Sequence, residues 1–76
     1  NPQETEALSR IIRKLRDEHD LTVLLIEHDM GMVMSISDHI VVLDHGEVIA
    51  EGDGAAIRSN PKVIAAYLGA EEEELT

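Results

Sequence analysis

The sequence predicts an α/β fold in which a parallel strand–helix–strand unit is followed by an antiparallel hairpin strand and short C-terminal helices. Three observations predict it. Residues 21–26 carry one polar side chain, Thr22, among branched apolar ones, the signature of a strand buried on both faces. Residues 39–44 have a second continuous apolar centre, and between the two runs Met30, Val33 and Met34 follow a helical spacing. Strand, helix and strand joined in this way form a right-handed crossover with parallel strands. Finally, His45-Gly46 is a two-residue connection into residues 47–52, which reads as a strand folding back into a hairpin.

The elements can be justified in chain order. Asn1 is a good N-cap, Pro2 sits where its missing N–H costs nothing, and Glu4 completes a capping box. Leu8, Ile11, Ile12 and Leu15 repeat at i, i+3, i+4 and i+7, so the first helix has one apolar stripe. It should end at 18–20, where Asp20, a residue that tolerates the left-handed region, is the terminator. The helix at 30–37 presents Met30, Met32 and Met34, which fit pliable core filler better than a ligand groove. The strand at 47–52 has the charged ends of an edge strand. Asp53 can cap a helix through Ile57 and Arg58, Asn60-Pro61 restarts a second one to about Leu68, and Gly69 should stop it.

Composition narrows the function. Six basic residues against sixteen acidic ones give a formal charge of -10, which argues against a nucleic-acid phosphate backbone as the partner. With no cysteine there is neither a disulfide framework nor a cysteine-based zinc site. No apolar run approaches the roughly 20 residues needed to span a bilayer. Residues 1–69 read as one globular portion, and residues 70–76, with glutamate at 71–74, as a solvated, disordered tail. The chain does not begin with Met, which fits a processed product or a fragment.

The chemistry-bearing residues are few. Glu27, His28 and Asp29 stand at the carboxyl end of the predicted central strand, where ligands bind in open α/β sheets. The same triplet also suits a plain polar exit in which Asp29 caps the next helix. Histidines at 19, 28, 39 and 45 lack metal-site spacing, so no metal ligand is assigned. No serine occupies a nucleophile elbow, and no Gly-x-x-x-x-Gly-Lys-Ser/Thr phosphate loop occurs.

The run Leu-Leu-Ile-Glu-His-Asp-Met at 24–30, continued through 33–38 and 40–52, resembles the last part of ABC-transporter ATP-binding subunits. Asn1-Pro2-Gln3-Glu4, His28-Asp29-Met30, Asn60-Pro61 and Ala66-Tyr67-Leu68-Gly69 make it most similar to those of branched-chain amino acid importers. A departure falls at residues 53–56, where that family more often has a Thr-Pro or Ser-Pro pair followed by acidic residues. The resemblance implies the C-terminal portion of a P-loop NTPase domain, with His28 as the switch-loop histidine at the ATP γ-phosphate and Asn1 as the last D-loop residue, in contact with a partner subunit. It implies ATP and magnesium as ligands of the complete subunit and none for the isolated chain. Its partners would be the N-terminal part of the same subunit, a second ATP-binding subunit and transmembrane permease subunits, at the cytoplasmic face of the cell membrane. The 76 residues alone are expected not to hydrolyse ATP and to self-associate through the uncovered strand at 21–26. The other reading is a stand-alone acidic protein-interaction module without ATPase activity.

Overall fold

A computed structural model of the chain describes residues 1–69; the predicted acidic tail lies outside the described residues. Its contacts divide into two compact units, residues 1–36 and the residues from Ser37 onward.

The first unit is a helix pair. Helix α1, Pro2–Glu18, starts as its sequence dictates, with the Glu4 N–H donating to Asn1 Oδ1 at 2.8 Å. Ion pairs one turn apart, Arg10 with Glu6 and Lys14 with Glu18, lie on its exposed surface and add a few tenths of a kcal/mol each at most. The helix gives way at His19, and Asp20 adopts the predicted left-handed conformation with φ 55°. Helix α2, Met30–Ile36, buries Met30, Met32 and Ile36, in keeping with the core-filler reading for two of the three methionines, while Met34 is half-buried.

Seven residues form too short a helix to persist by propensity alone, and α2 is held at both ends. Asp29 caps its start. At its other end the Arg13 guanidinium donates to the Ser35 carbonyl at 3.1 Å, and Arg16 donates to the Ile36 carbonyl. These last carbonyls have no partner within their own helix, and cationic donors there complement the helix dipole.

The expectation for residues 21–26 needs correction. They form no strand; Leu24 is 88% and Ile26 91% exposed. A strand requires a neighbour to complete its hydrogen-bond ladder, and no described segment pairs with this one. The predicted parallel strand–helix–strand unit is therefore not present among the described elements, which are helices and one two-stranded antiparallel sheet.

The second unit is built on that sheet. Strand β1, Ile40–Asp44, pairs with β2, Glu47–Gly52, through the predicted two-residue turn, in which His45 and Gly46 have φ 50° and 77°. Positive φ at both turn positions matches the twist of a hairpin, and Gly46 adopts it without steric cost. The register pairs Val42 with Ala50 but Leu43 with Val48, so Ile49 is an extra residue in a β-bulge. Val42 and Ala50 face inward and Leu43 and Val48 outward.

Helix α3, Gly54–Ser59, is capped by Asp53, whose Oδ1 accepts from the Ala56 N–H at 2.8 Å. Asn60 caps the next turn, α4, Pro61–Val63, which continues as a π-helix over Ile64–Leu68. Gly69 does not stop this helix in the left-handed region. It keeps helical angles and donates its N–H to the Ile64 carbonyl. A Cβ at this position would lie 2.8 Å from that carbonyl oxygen, so the wide turn has room for glycine alone. The Tyr67 hydroxyl donates to the Leu43 carbonyl and ties the π-helix to β1.

Ile57 and Val63 are the most completely buried side chains, at 1% and 0% exposure. Ile57→Ala should therefore lower stability by about 2–5 kcal/mol, as is general for truncation of a buried aliphatic side chain. Urea denaturation of the variant beside the parent chain measures this.

Candidate functional site

The polar triplet at 27–29 joins the irregular segment to α2, and its three side chains do different work. Asp29 is the cap: its Oδ1 accepts from the Met32 N–H at 3.1 Å, and its carbonyl accepts from the Val33 N–H at 3.0 Å. Glu27 folds back, its Oε1 accepting from the His28 N–H at 2.9 Å and lying 3.5 Å from His28 Nε2. That carboxylate fixes the backbone at His28 and touches one edge of the ring. The imidazole is otherwise 97% exposed. An imidazole in this position can donate or accept a hydrogen bond with a group brought to it from outside the unit.

Asn1, the other predicted site residue, is an N-cap first. With Pro2, Thr5, Ser9, Arg13 and Asp29 it also lines an open groove of about 730 Å³ between α1 and α2. The structure thus brings Asn1 and Asp29 to one depression and leaves His28 outside its lining. Ser9, buried in the groove wall, donates its hydroxyl to the Thr5 carbonyl at 2.9 Å, so its polar atom is satisfied within α1.

Arg13 and Arg16 reach the end of α2, a contact that no expectation from the sequence included. The signal lay in the spacing: Arg13 and Arg16, three apart, share a helical face, and α2 has no basic residue in its last turn. Arg16 is itself oriented by Asp17, with Nε 2.7 Å from Oδ1 and Nη2 3.2 Å from Oδ2. The hydrogen bond from Arg16 holds the Asp17 carboxyl below the ordinary carboxylate range; desolvation opposes it, and the Arg16 and Arg13 charges reinforce it. Among the described residues no group of three His, Asp or Glu side chains is placed to hold a metal ion. No described helix is long and apolar enough to cross a membrane.

The chain is similar in sequence to known proteins over most of its length. Residues 47–73 match the family model described as branched-chain amino acid ATP-binding cassette transporter. The chain is 62% identical over 69 residues to the high-affinity branched-chain amino acid transport ATP-binding protein BraF of Pseudomonas aeruginosa. It is 54% identical over 69 residues to LivG of Escherichia coli K12, which carries the same description. Each alignment covers 91% of this chain and 27% of the relative, so the chain spans about a quarter of the length of these curated relatives. A probable LivG of Archaeoglobus fulgidus is 44% identical over 55 residues, 72% of this chain and 21% of the relative. The region matched is the C-terminal part of these proteins, as the residues at 24–52 and 60–69 led us to expect. No solved structure matches the chain.

Two outcomes follow from the triplet and its support. Asp29→Ala should remove the α2 cap at a cost of about 1 kcal/mol, seen as faster hydrogen exchange at the Met32 and Val33 amides. Asp17 has a depressed folded-state value, so its contribution is fully present above the ordinary carboxylate range and is lost as pH falls through the depressed value. Asp17→Asn should flatten that acid limb in a titration followed by circular dichroism and leave the limb above it unchanged.

Proposed function

We propose that this chain, whose kinship is with the C-terminal part of ABC-transporter ATP-binding subunits, supplies the switch histidine of a transport ATPase serving branched-chain amino acid uptake. The carrying observation is His28. Its ring stands almost fully exposed on a backbone pinned on both sides, by Glu27 and by the Asp29 cap. A presented imidazole on a fixed main chain suits phosphoryl transfer, where the protein contributes mainly positioning and stabilisation of spread negative charge.

In the complete subunit His28 hydrogen-bonds the γ-phosphate of ATP and helps hold the attacking water. Glu27 orients the histidine and Asp29 caps the helix; neither enters the chemistry. Asn1, which lines the groove, contacts the partner ATP-binding subunit. Magnesium accompanies the nucleotide in the complete subunit; among the described residues no group of three His, Asp or Glu side chains is placed to hold it. In the same subunit residues 21–26 form a strand whose sheet neighbour comes from the upstream part of the subunit, which covers Leu24 and Ile26. Their exposure in the 76-residue chain supports this, since apolar side chains at 88% and 91% exposure demand a cover. Permease subunits at the cytoplasmic face of the membrane complete the assembly.

In the complete ATP-binding subunit, His28→Ala should lower kcat for ATP about 10²- to 10³-fold, the usual effect of removing one group that stabilises developing charge, while nucleotide binding persists. Steady-state hydrolysis and nucleotide titration measure the two quantities. Turnover at the parent rate in the variant, together with tight binding of a defined protein by the 76 residues alone, would instead favour an interaction module.

A further inference from the structure

We infer that Arg13 and Arg16 are positioning residues for His28, acting through helix α2; the inference rests on the role given to His28 above. The chain of contacts is continuous. Asp17 grips the Arg16 guanidinium through two hydrogen bonds, and Arg16 and Arg13 donate to the carbonyls of Ile36 and Ser35, the last two residues of α2. At the other end of α2 the Asp29 side chain caps Met32, and the residue before Asp29 is His28.

Helix α2 is seven residues long, about 10 Å at the usual rise per residue. A segment so short tilts as one body, so the carbonyls held at its end set the direction of its start. It has no basic side chain of its own in the last turn, and both cationic donors come from α1. The anchor is also geometrically exacting. Arg16 turns one edge of its planar fork to Asp17 and another nitrogen to Ile36, an arrangement that a lysine cannot copy in full. His28 gains no fixed direction from ring packing, since the ring is nearly all exposed; its position is that of its backbone. Loss of the arginine anchor therefore reaches the histidine as a displacement of the main chain, without touching the nucleotide.

The test uses the complete ATP-binding subunit with Arg13→Gln, Arg16→Gln, Arg16→Lys, Asp17→Asn and His28→Ala. Arg16→Gln should lower kcat about 10-fold, since a displacement near 1 Å at a reacting group has effects of that order or more, and leave KM for ATP unchanged. Arg13→Gln should act in the same sense. Arg16→Lys should recover part of the loss and Asp17→Asn should show a smaller loss of the same kind. The decisive measurement is the double variant: in a His28→Ala background Arg16→Gln should slow turnover no further, because the group it positions is gone.

An equal further loss in that background, or a normal kcat in Arg16→Gln where His28→Ala is slow, would overturn the positioning role and leave the function of His28 standing. Normal turnover in His28→Ala would overturn the functional reading itself, and the positioning role with it. Should Arg16→Gln fail to fold, Asp17→Asn combined with His28→Ala carries the same comparison, because it loosens the guanidinium and keeps its bond to Ile36.

Discussion

Everything near His28 depends on how a seven-residue helix is held at its ends. Such a helix closes few hydrogen bonds of its own, and most of its terminal backbone groups need outside partners. In this chain one carboxylate serves the first turn and two guanidinium groups serve the last. Apolar packing cannot replace them, because the chain is small and the buried apolar side chains described in that unit are Met30, Met32 and Ile36. The methionines adapt to whatever space is left, and the polar anchors decide where the helix lies.

The two units illustrate two ways of fixing a fold. The first relies on charged side chains meeting helix ends. The second relies on a hairpin whose register, turn and caps agree, with Ile57 and Val63 fully enclosed and Tyr67 reaching back to a strand carbonyl. Local chemistry and burial point the same way there, which is the condition for a well-specified structure.

That difference also explains what could be read in the residues. Helix α1, with its Asn1 cap and left-handed Asp20, the His45-Gly46 turn, β2 and the Asp53 cap all follow from signals a few residues long, and all were legible. Residues 21–26 show the limit of such reading. Their apolar, branched pattern records an environment with neighbours on both faces, and a pattern cannot supply those neighbours. The arginine contacts with α2 were legible only in half: the spacing puts Arg13 and Arg16 on one face, but they join residues about 20 apart, and nothing in a local window marks the partner carbonyl. The π-helix was equally out of reach, since a glycine in the sequence does not announce that the carbonyl five residues back leaves no room for a Cβ. The triplet at 27–29 was legible as a place, and its division of labour emerged only from hydrogen-bond geometry.

The bulge at Ile49 gives the hairpin a property that the helices lack. On one side of it Val42 meets Ala50, and on the other Leu43 meets Val48, with one residue left over between them. Removing that residue would leave both pairings, the inward side chains and the two-residue turn in place, because the surplus belongs to neither ladder segment. A residue lost from α1 between Arg13 and Arg16 would instead turn one against the other by about 100° and take them off the face they share. Over evolutionary time the hairpin can therefore absorb a change in length, whereas the spacing of α1 is locked to its contacts.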